Sequence, residues 1–316
     1  EGGDNPTTIK NLGVDCAFVN APNGFAGAIV GETKWNNTTT ISTCYVGKNV
    51  TVKGTVAGLF YSRGGSGVEI FDSYSLGTVS GTSKYGIVGD CWGSIRTLTN
   101  SYVSGSPITT SHSLSCTNVY TTNETGGNGA IVLTSDKMQG QDALTNENKM
   151  HQLSDCGSFE PTADYPVLKV FGEENVPDSA NPWDGSTKAP TGEGTEANPI
   201  LIKNPEELAY VIKNGGEGKF YKLTADIYLN DTTKIDWKNG TVEDGYTAKQ
   251  WYNKNNINPF NGTLDGDGHT VYGMYITNET NEIGIALLPY LQEGGDNPTT
   301  IKNLGVDCAF VNAPNG

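Results

Sequence analysis

The chain has 316 residues, with 20 Lys and Arg against 35 Asp and Glu, a formal net charge of −15. Nucleic acid and anionic membranes need basic surface on their partners, so this balance argues against both, and no apolar run reaches the roughly 18 residues that a membrane-spanning helix needs. The 41 Gly, the 3 Met and a charged fraction of only 17% are the composition of many short strands joined by turns.

Residues 1–24 read EGGDNPTTIKNLGVDCAFVNAPNG, and residues 293–316 repeat them without a change, an offset of 292 positions. Chance does not give 24 identities. The repeat is expected to be either one period of a tandem array, cut slightly long, or a duplication at the ends of a finished chain. In an array, residue 1 lies inside a domain.

From residue 9 to 120 one pattern recurs: IKNLGV at 9–14, ISTCYV at 41–46, IFDSYS at 70–75, LTNSYV at 98–103 and, more weakly, SCTNVY at 115–120. Between these runs a second, glycine-led series: GAIV from Gly27, GLFY from Gly58, GIVG from Gly86, GAIV from Gly129 and an earlier GIAL from Gly284. Short apolar strands broken by Gly, Asn, Ser and Thr turns, at a period near 30, indicate a solenoid or a propeller. The drift of the period and the absence of tight hairpin turns favour a solenoid, with like apolar positions stacked in columns. The expected fold is all-β, a right-handed parallel β-helix, with a β-propeller as the alternative.

After Val132 the pattern stops. The polar stretch SDKMQGQDALTNENKMHQL at 135–153 and the apolar strand around DYPVLK at 164–169 read as a small C-terminal cap over the open end of the coil. GEENVPDSANP at 172–182 is a linker. Asn204, Pro205 and Glu207 then supply an N-cap, a first-turn proline and an N3 carboxylate. Leu208, Val211 and Ile212 share one face and Gly215-Gly216 ends the segment, so a short N-terminal cap helix is predicted. The domains expected are 1–171, the C-terminal part of one β-helix domain with its cap; 172–182, a linker; and 183–316, the N-terminal part of the next.

WDGSTKAPTGEGTEANPILI at 183–202, EELAYVI at 206–212, KLTADIYLN at 222–230, FNGTLDGDGHTVYGMYI at 260–276, IKNLGV and DYPVLK follow one another in an order that resembles bacterial surface proteins carrying the GLUG motif. That resemblance implies a pectin-lyase-like right-handed β-helix on a secreted or wall-attached protein of adhesive or structural role. The chain departs from the pattern where the Gly58 strand ends in Tyr-Ser and where the coil before Ser115 is short.

Sites of chemistry are sparse. Asp265-Gly-Asp-Gly268 looks like a calcium loop, but position 12 of such a loop would be Ile276, where an acidic ligand is required. His112, His151 and His269 are scattered, with no HExxH. Asp72 and Asp90 are the acids of the middle coils that could face one groove for polysaccharide hydrolysis, yet Asp72 stands where other coils have Asn or Thr and reads as a ladder position. Neither an enzymatic activity nor a cofactor is expected. Asn36, Asn37, Asn49, Asn123, Asn230, Asn239, Asn261 and Asn278 open Asn-x-Ser/Thr triplets, permissive for glycosylation. Cys16, Cys44, Cys91, Cys116 and Cys156 are candidate disulfide cysteines, and Cys308 copies Cys16. Five per period leaves one unpaired, or pairs it between periods. Trp35, Trp92, Trp237 and Trp251 could stack on sugars, although packing against the coil flank is the simpler reading. The partners expected are the chain itself, head to tail, and surface or host glycans. If free chains complete one β-helix between them, the two copies of 1–24 are expected to compete for one place.

Overall fold

Apolar strands of this kind bury one face only when a neighbour lies above and below, because each strand leaves its backbone groups unpaired along both edges. The computed structural model of the chain describes residues 7–32, 38–64, 67–91, 95–105, 108, 114–123, 128–171, 181–252, 257–277, 286–289, 291 and 299–314. Among these, nearly all strands join one parallel sheet. Its rungs run, in space, from Ile200–Ile202 to Lys219–Leu223, then Gly262–Asp265, Thr300–Asp307, Thr7–Gly27, Thr38–Ser42, Gly67–Phe71, Ile95–Val103, Ser115–Thr121 and Ile131–Val132. Antiparallel strand pairs are confined to two short ribbons, Phe159–Glu160 with Val167–Leu168 and Ile235–Asp236 with Thr241–Val242. The parallel stack is solenoid-like, and the antiparallel blades of a propeller are missing among the described residues.

One inward column crosses the rungs from Ile200–Ile202 to Ser115–Thr121: Ile200, Tyr221, Leu264, Ile301, Ile9, Ile41, Ile70, Leu98 and Cys116 lie in register. Ile41, Ile70 and Leu98 are wholly buried, and each such side chain contributes about 1.5–3 kcal/mol of hydrophobic stabilisation. Gly27, Gly58 and Gly86 form a second column. A β-carbon at Gly27 would lie 2.0 Å from the Val30 carbonyl oxygen, and one at Gly58 would lie 2.1 Å from that of Tyr61. The rung folds back on itself there, too tightly for a side chain. Gly129 sits in the turn before the last rung, outside this column, and Gly284 lies outside the described residues.

The predicted helix spans Pro205–Asn214. Asn204 Oδ1 accepts from the Glu207 N–H at 3.0 Å, and Glu207 Oε2 accepts from the Lys203 N–H at 2.9 Å. Gly215, in the left-handed region at φ 83, ends it. Leu208, Ala209, Val211 and Ile212 are buried in the same core as Ile200 and Ile202 of the first rung.

The C-terminal segment departs from expectation. It does not close the last rung, where Ile131 and Val132 stay 54% and 50% exposed. Instead residues 133–171 run along the outside of the stack. The reason is an outward column of aromatic rings, Tyr45, Tyr74, Tyr102 and Tyr120, aligned over consecutive rungs. Met138, Leu144, Met150, Leu153, Phe159 and Leu168 bury it. The Tyr74 hydroxyl donates to the Pro166 carbonyl at 2.5 Å and the Tyr102 hydroxyl to that of Lys149 at 2.7 Å. At its end Phe171 packs edge-on to Tyr45, and the Val170 carbonyl closes on Gly268. The strap therefore carries the chain from its last rung back past the place where residues 7–27 meet residues 300–312.

Candidate functional site

The feature that the rest of the chain is built around is the meeting of the two identical segments. Thr7–Gly27 lies on Thr300–Asp307 and Ala309–Asn312 in parallel, and every paired residue faces its own copy: Ile9 on Ile301, Leu12 on Leu304, Val14 on Val306, Ala17 on Ala309, Asn20 on Asn312. Within one chain the copies occupy successive rungs. Parallel register puts like on like, and that suits amides, aromatic rings and aliphatic chains. Asn20 Nδ2 donates to Asn312 Oδ1 at 2.8 Å, and Asn23 Nδ2 to the Pro314 carbonyl at 2.7 Å. Phe18 and Phe310 stack at 5.4 Å with their planes 8° apart, Tyr275 continues the stack below, and Lys53 Nζ covers Phe18 at 4.9 Å. Like charges meet too, since Lys10 faces Lys302. The Asp265 carboxylate, 3.2 Å from Lys302, relieves that pair.

One corner of the rungs explains the recurring Asn. Asn303, Asn11, Thr43, Asp72, Asn100 and Asn118 each follow a register-paired residue and each has a positive φ between 46 and 54. Left-handed backbone costs an ordinary residue about 1–2 kcal/mol, and Asn and Asp tolerate it best. Their side chains then join along the stack. Asn303 donates to Asp265 at 2.8 Å, Asn11 to Asn303 at 2.9 Å, Asn100 to Asp72 at 3.1 Å and Asn118 to Asn100 at 3.1 Å. Just inside this corner, Cys44 and Ser73 take a second polar column: the Cys44 N–H donates to Ser73 Oγ at 3.0 Å and the Ser73 N–H to Ser101 Oγ at 3.3 Å.

Asp72 is thus a ladder residue whose Oδ1 is held by Asn100. Asp90 belongs to a different column, in register with Arg63, so the two acids are not brought together. The Asp265-Gly-Asp-Gly268 loop is held by lysines: Asp267 meets Lys222 at 2.8 Å and Asp265 meets Lys302. Burial pushes the Asp265 carboxyl up, but the Asn303 amide, the Asp267 N–H and Lys302 outweigh it and hold the group below the ordinary carboxylate value. His269 Nδ1 lies 3.3 Å from Asp226, His151 sits in the strap, and His112 lies outside the described residues. No cluster of three metal-ligating side chains occurs among the described residues, and none of their helices is long and apolar enough to cross a membrane.

The tryptophans within the described residues pack inward. Trp251 donates to the Leu287 carbonyl at 2.9 Å and meets Trp183 edge-on at 5.2 Å, and Trp237 donates to the Thr232 carbonyl at 2.9 Å. Both are under 9% exposed, so neither offers a face to a sugar. Trp35 and Trp92 lie outside the described residues, as do Asn36, Asn37 and Asn278. Asn230 is unsuited to glycosylation: it is fully buried, donating to the Lys249 and Gly273 carbonyls and accepting from the Lys249 N–H. Asn261 Oδ1 accepts from the Gly218 N–H at 2.6 Å, and Asn123 is half-buried. Asn49 and Asn239 are exposed.

All six cysteines are free thiols. Burial pushes Cys44 up to about 12 and Cys116 up to about 11. Cys16 and Cys308 differ from these, because they meet across the seam. The hydrogen bond from the Cys308 thiol holds Cys16 below its ordinary value, and the same bond pushes Cys308 well above it. The repeat pointed to this pair through its two copies of one cysteine, but only the stacking of those copies makes them neighbours.

No family model, no curated protein and no solved structure matches this chain.

Proposed function

We propose that the chain is a structural repeat of a long extracellular fibre or cell-surface stalk, wound as a right-handed β-helix. The units are joined in series or by head-to-tail completion of split domains. The supporting observation is the seam. It is the one junction between described rungs of the main stack that joins two identical sequences, and it is satisfied residue by residue. A rung that accepts its own copy can be closed by a copy from another repeat or another molecule. Such a head-to-tail contact is heterologous and propagates. The acidic surface keeps such a polymer soluble. The reading assigns the chain no catalysis and places it outside the cell, as the resemblance to GLUG-motif surface proteins implies.

Two measurements test this together. The denatured, reduced mass of the protein from its source is expected to exceed 33.6 kDa in steps near one 292-residue period. Light scattering on the reduced 316-residue chain is expected to show oligomers that grow with concentration. A source mass of 33.6 kDa with a monomer at every concentration would remove both forms of the fibre.

A further inference from the structure

We propose that Cys16 and Cys308 form a redox-controlled clasp, a disulfide that locks the two lobes of the solenoid across the seam. The two lobes, residues 183–316 below the seam and 1–171 above it, are joined covalently only through the linker at 172–182. Where their rungs meet, the contact is otherwise non-covalent.

The geometry around the pair suits the bond. Val14 pairs with Val306 on one side of it and Ala17 with Ala309 on the other. The two cysteines are therefore held one rung apart, about 4.8 Å along the stack, inside the 4.4–6.8 Å range of α-carbon separations that a disulfide bridges. Cys308 takes a left-handed φ of 52 at the break between Thr300–Asp307 and Ala309–Asn312. Both side chains pack against the cluster of Ile235, Trp237, Tyr275 and Phe310, and both are partly exposed, so a small reagent reaches them. Cys44 and Cys91 are wholly buried.

The oxidant is a low-molecular-weight disulfide such as glutathione disulfide. The Cys16 thiolate, stabilised by the Cys308 S–H, attacks one sulfur of glutathione disulfide. The S–S bond of the reagent breaks and one glutathione leaves. The Cys308 thiol gives up its proton, and its thiolate attacks Cys16 Sγ in the mixed disulfide and releases the second glutathione. The protein loses two electrons and two protons, and glutathione disulfide gains them. Asp15 and Asp307 beside the pair oppose thiolate formation, and Lys238 favours it.

A closed clasp prevents one molecule's head lobe from pairing with another's tail lobe, and an open clasp allows it. That consequence rests on the split-domain reading above; the linkage itself does not. The test is a peptide map of the unreduced, folded chain after equilibration with oxidised glutathione. A Cys16–Cys308 linked peptide is expected, with the intact mass lowered by two hydrogens. It should vanish in Cys16→Ser and in Cys308→Ser and persist in Cys116→Ser. If iodoacetamide alkylates both cysteines of the wild-type chain under those oxidising conditions, with circular dichroism showing it folded, the clasp is overturned. Light scattering separates the two claims. Reduced chain and Cys16→Ser are expected to exchange lobes and grow; if they stay monomeric while the linked peptide is found, the clasp stands and the split-domain reading falls.

Discussion

Asn11 and Asn303 stand at the same corner of consecutive rungs, and the amide of Asn11 donates to the amide oxygen of Asn303 at 2.9 Å. A residue and its own copy 292 positions away do in space what Asn118 and Asn100 do 18 positions apart. The corner asks for two things at once, a left-handed backbone and a side chain that bonds up and down the stack. Asn meets both, and Asp72 meets both as an acceptor.

Asn100 tests that double demand, because it donates to Asp72 and accepts from Asn118. Asn100→Ala removes two hydrogen bonds, at about 1 kcal/mol each, and places a β-carbon without an amide in left-handed backbone, for roughly 1–2 kcal/mol more. A loss of about 3 kcal/mol is expected in urea unfolding. Asn100→Gly keeps the backbone and should cost about 2 kcal/mol, the hydrogen bonds alone. Equal losses in the two variants would show that backbone conformation contributes nothing at this corner.

Much of this was legible in the primary structure, because a solenoid writes its register into its repeats. The alignment of Ile9, Ile41, Ile70 and Leu98 from sequence is the register of the sheet. The last step slipped by one: Leu98 pairs with Cys116, not Ser115. That rung is short and carries Cys116 where those before it in this series carry Ile or Leu, so the apolar column is weakest there. The helix at Pro205 was legible through its cap, proline and glycine, all local chemistry. The strap was misplaced for a physical reason. Residues 135–171 have no period, and a polar stretch after the last repeat suits an end cap as well as a flank cover. The signal that separates them is Tyr45, Tyr74, Tyr102 and Tyr120 at one position of successive repeats, an aromatic column on the outer face that water would otherwise meet.

Removing that contact should release the strap. Tyr102 is wholly buried, and its hydroxyl is bonded to the Lys149 carbonyl and to Gln152. Tyr102→Phe removes the one hydroxyl proton that these two oxygens share and is expected to cost about 1–3 kcal/mol. Tyr102→Ala adds a cavity between strap and rungs, for about 3–5 kcal/mol. Limited proteolysis should then cut within residues 133–171 sooner in both variants, in that order. Unchanged cleavage would mean that the strap is held elsewhere.

Asp265 links the seam to pH. Its folded-state value lies below the ordinary 3.8, so the folded protein binds this proton less readily than the unfolded chain. The resulting stability is fully present above 3.8 and is lost as pH falls through the lower, folded value. Asp265→Asn keeps an acceptor for Asn303 but loses the charge beside Lys302. The variant is expected to be less stable than wild type at pH 7, with the gap closing as the pH drops below 4. A gap that stays constant from pH 7 to pH 3 would assign the effect to packing instead.

The two seam copies are redundant in contacts, and deletion shows whether they are redundant in folding. If residues 293–316 are removed, the rung Thr7–Gly27 can settle on Gly262–Asp265 and Tyr275–Thr277 and remake each contact with the same residue types. Asn11 would replace Asn303 on Asp265, Lys10 would replace Lys302 on the same carboxylate, and Phe18 would replace Phe310 on Tyr275. What is lost is one rung interface, including the Asn11–Asn303 and Asn20–Asn312 bonds at about 1 kcal/mol each. What is gained is relief of the Lys10–Lys302 repulsion. Removing residues 1–24 instead leaves the other copy to do the same work against Thr38–Ser42 and Tyr45–Gly64. Each single deletion is therefore expected to fold with the same circular dichroism per residue and to unfold in a single transition. The double deletion leaves no rung of matching side chains between the lobes and should separate them into two transitions. If either single deletion unfolds outright, the stacking of copy on copy is itself a requirement of the fold.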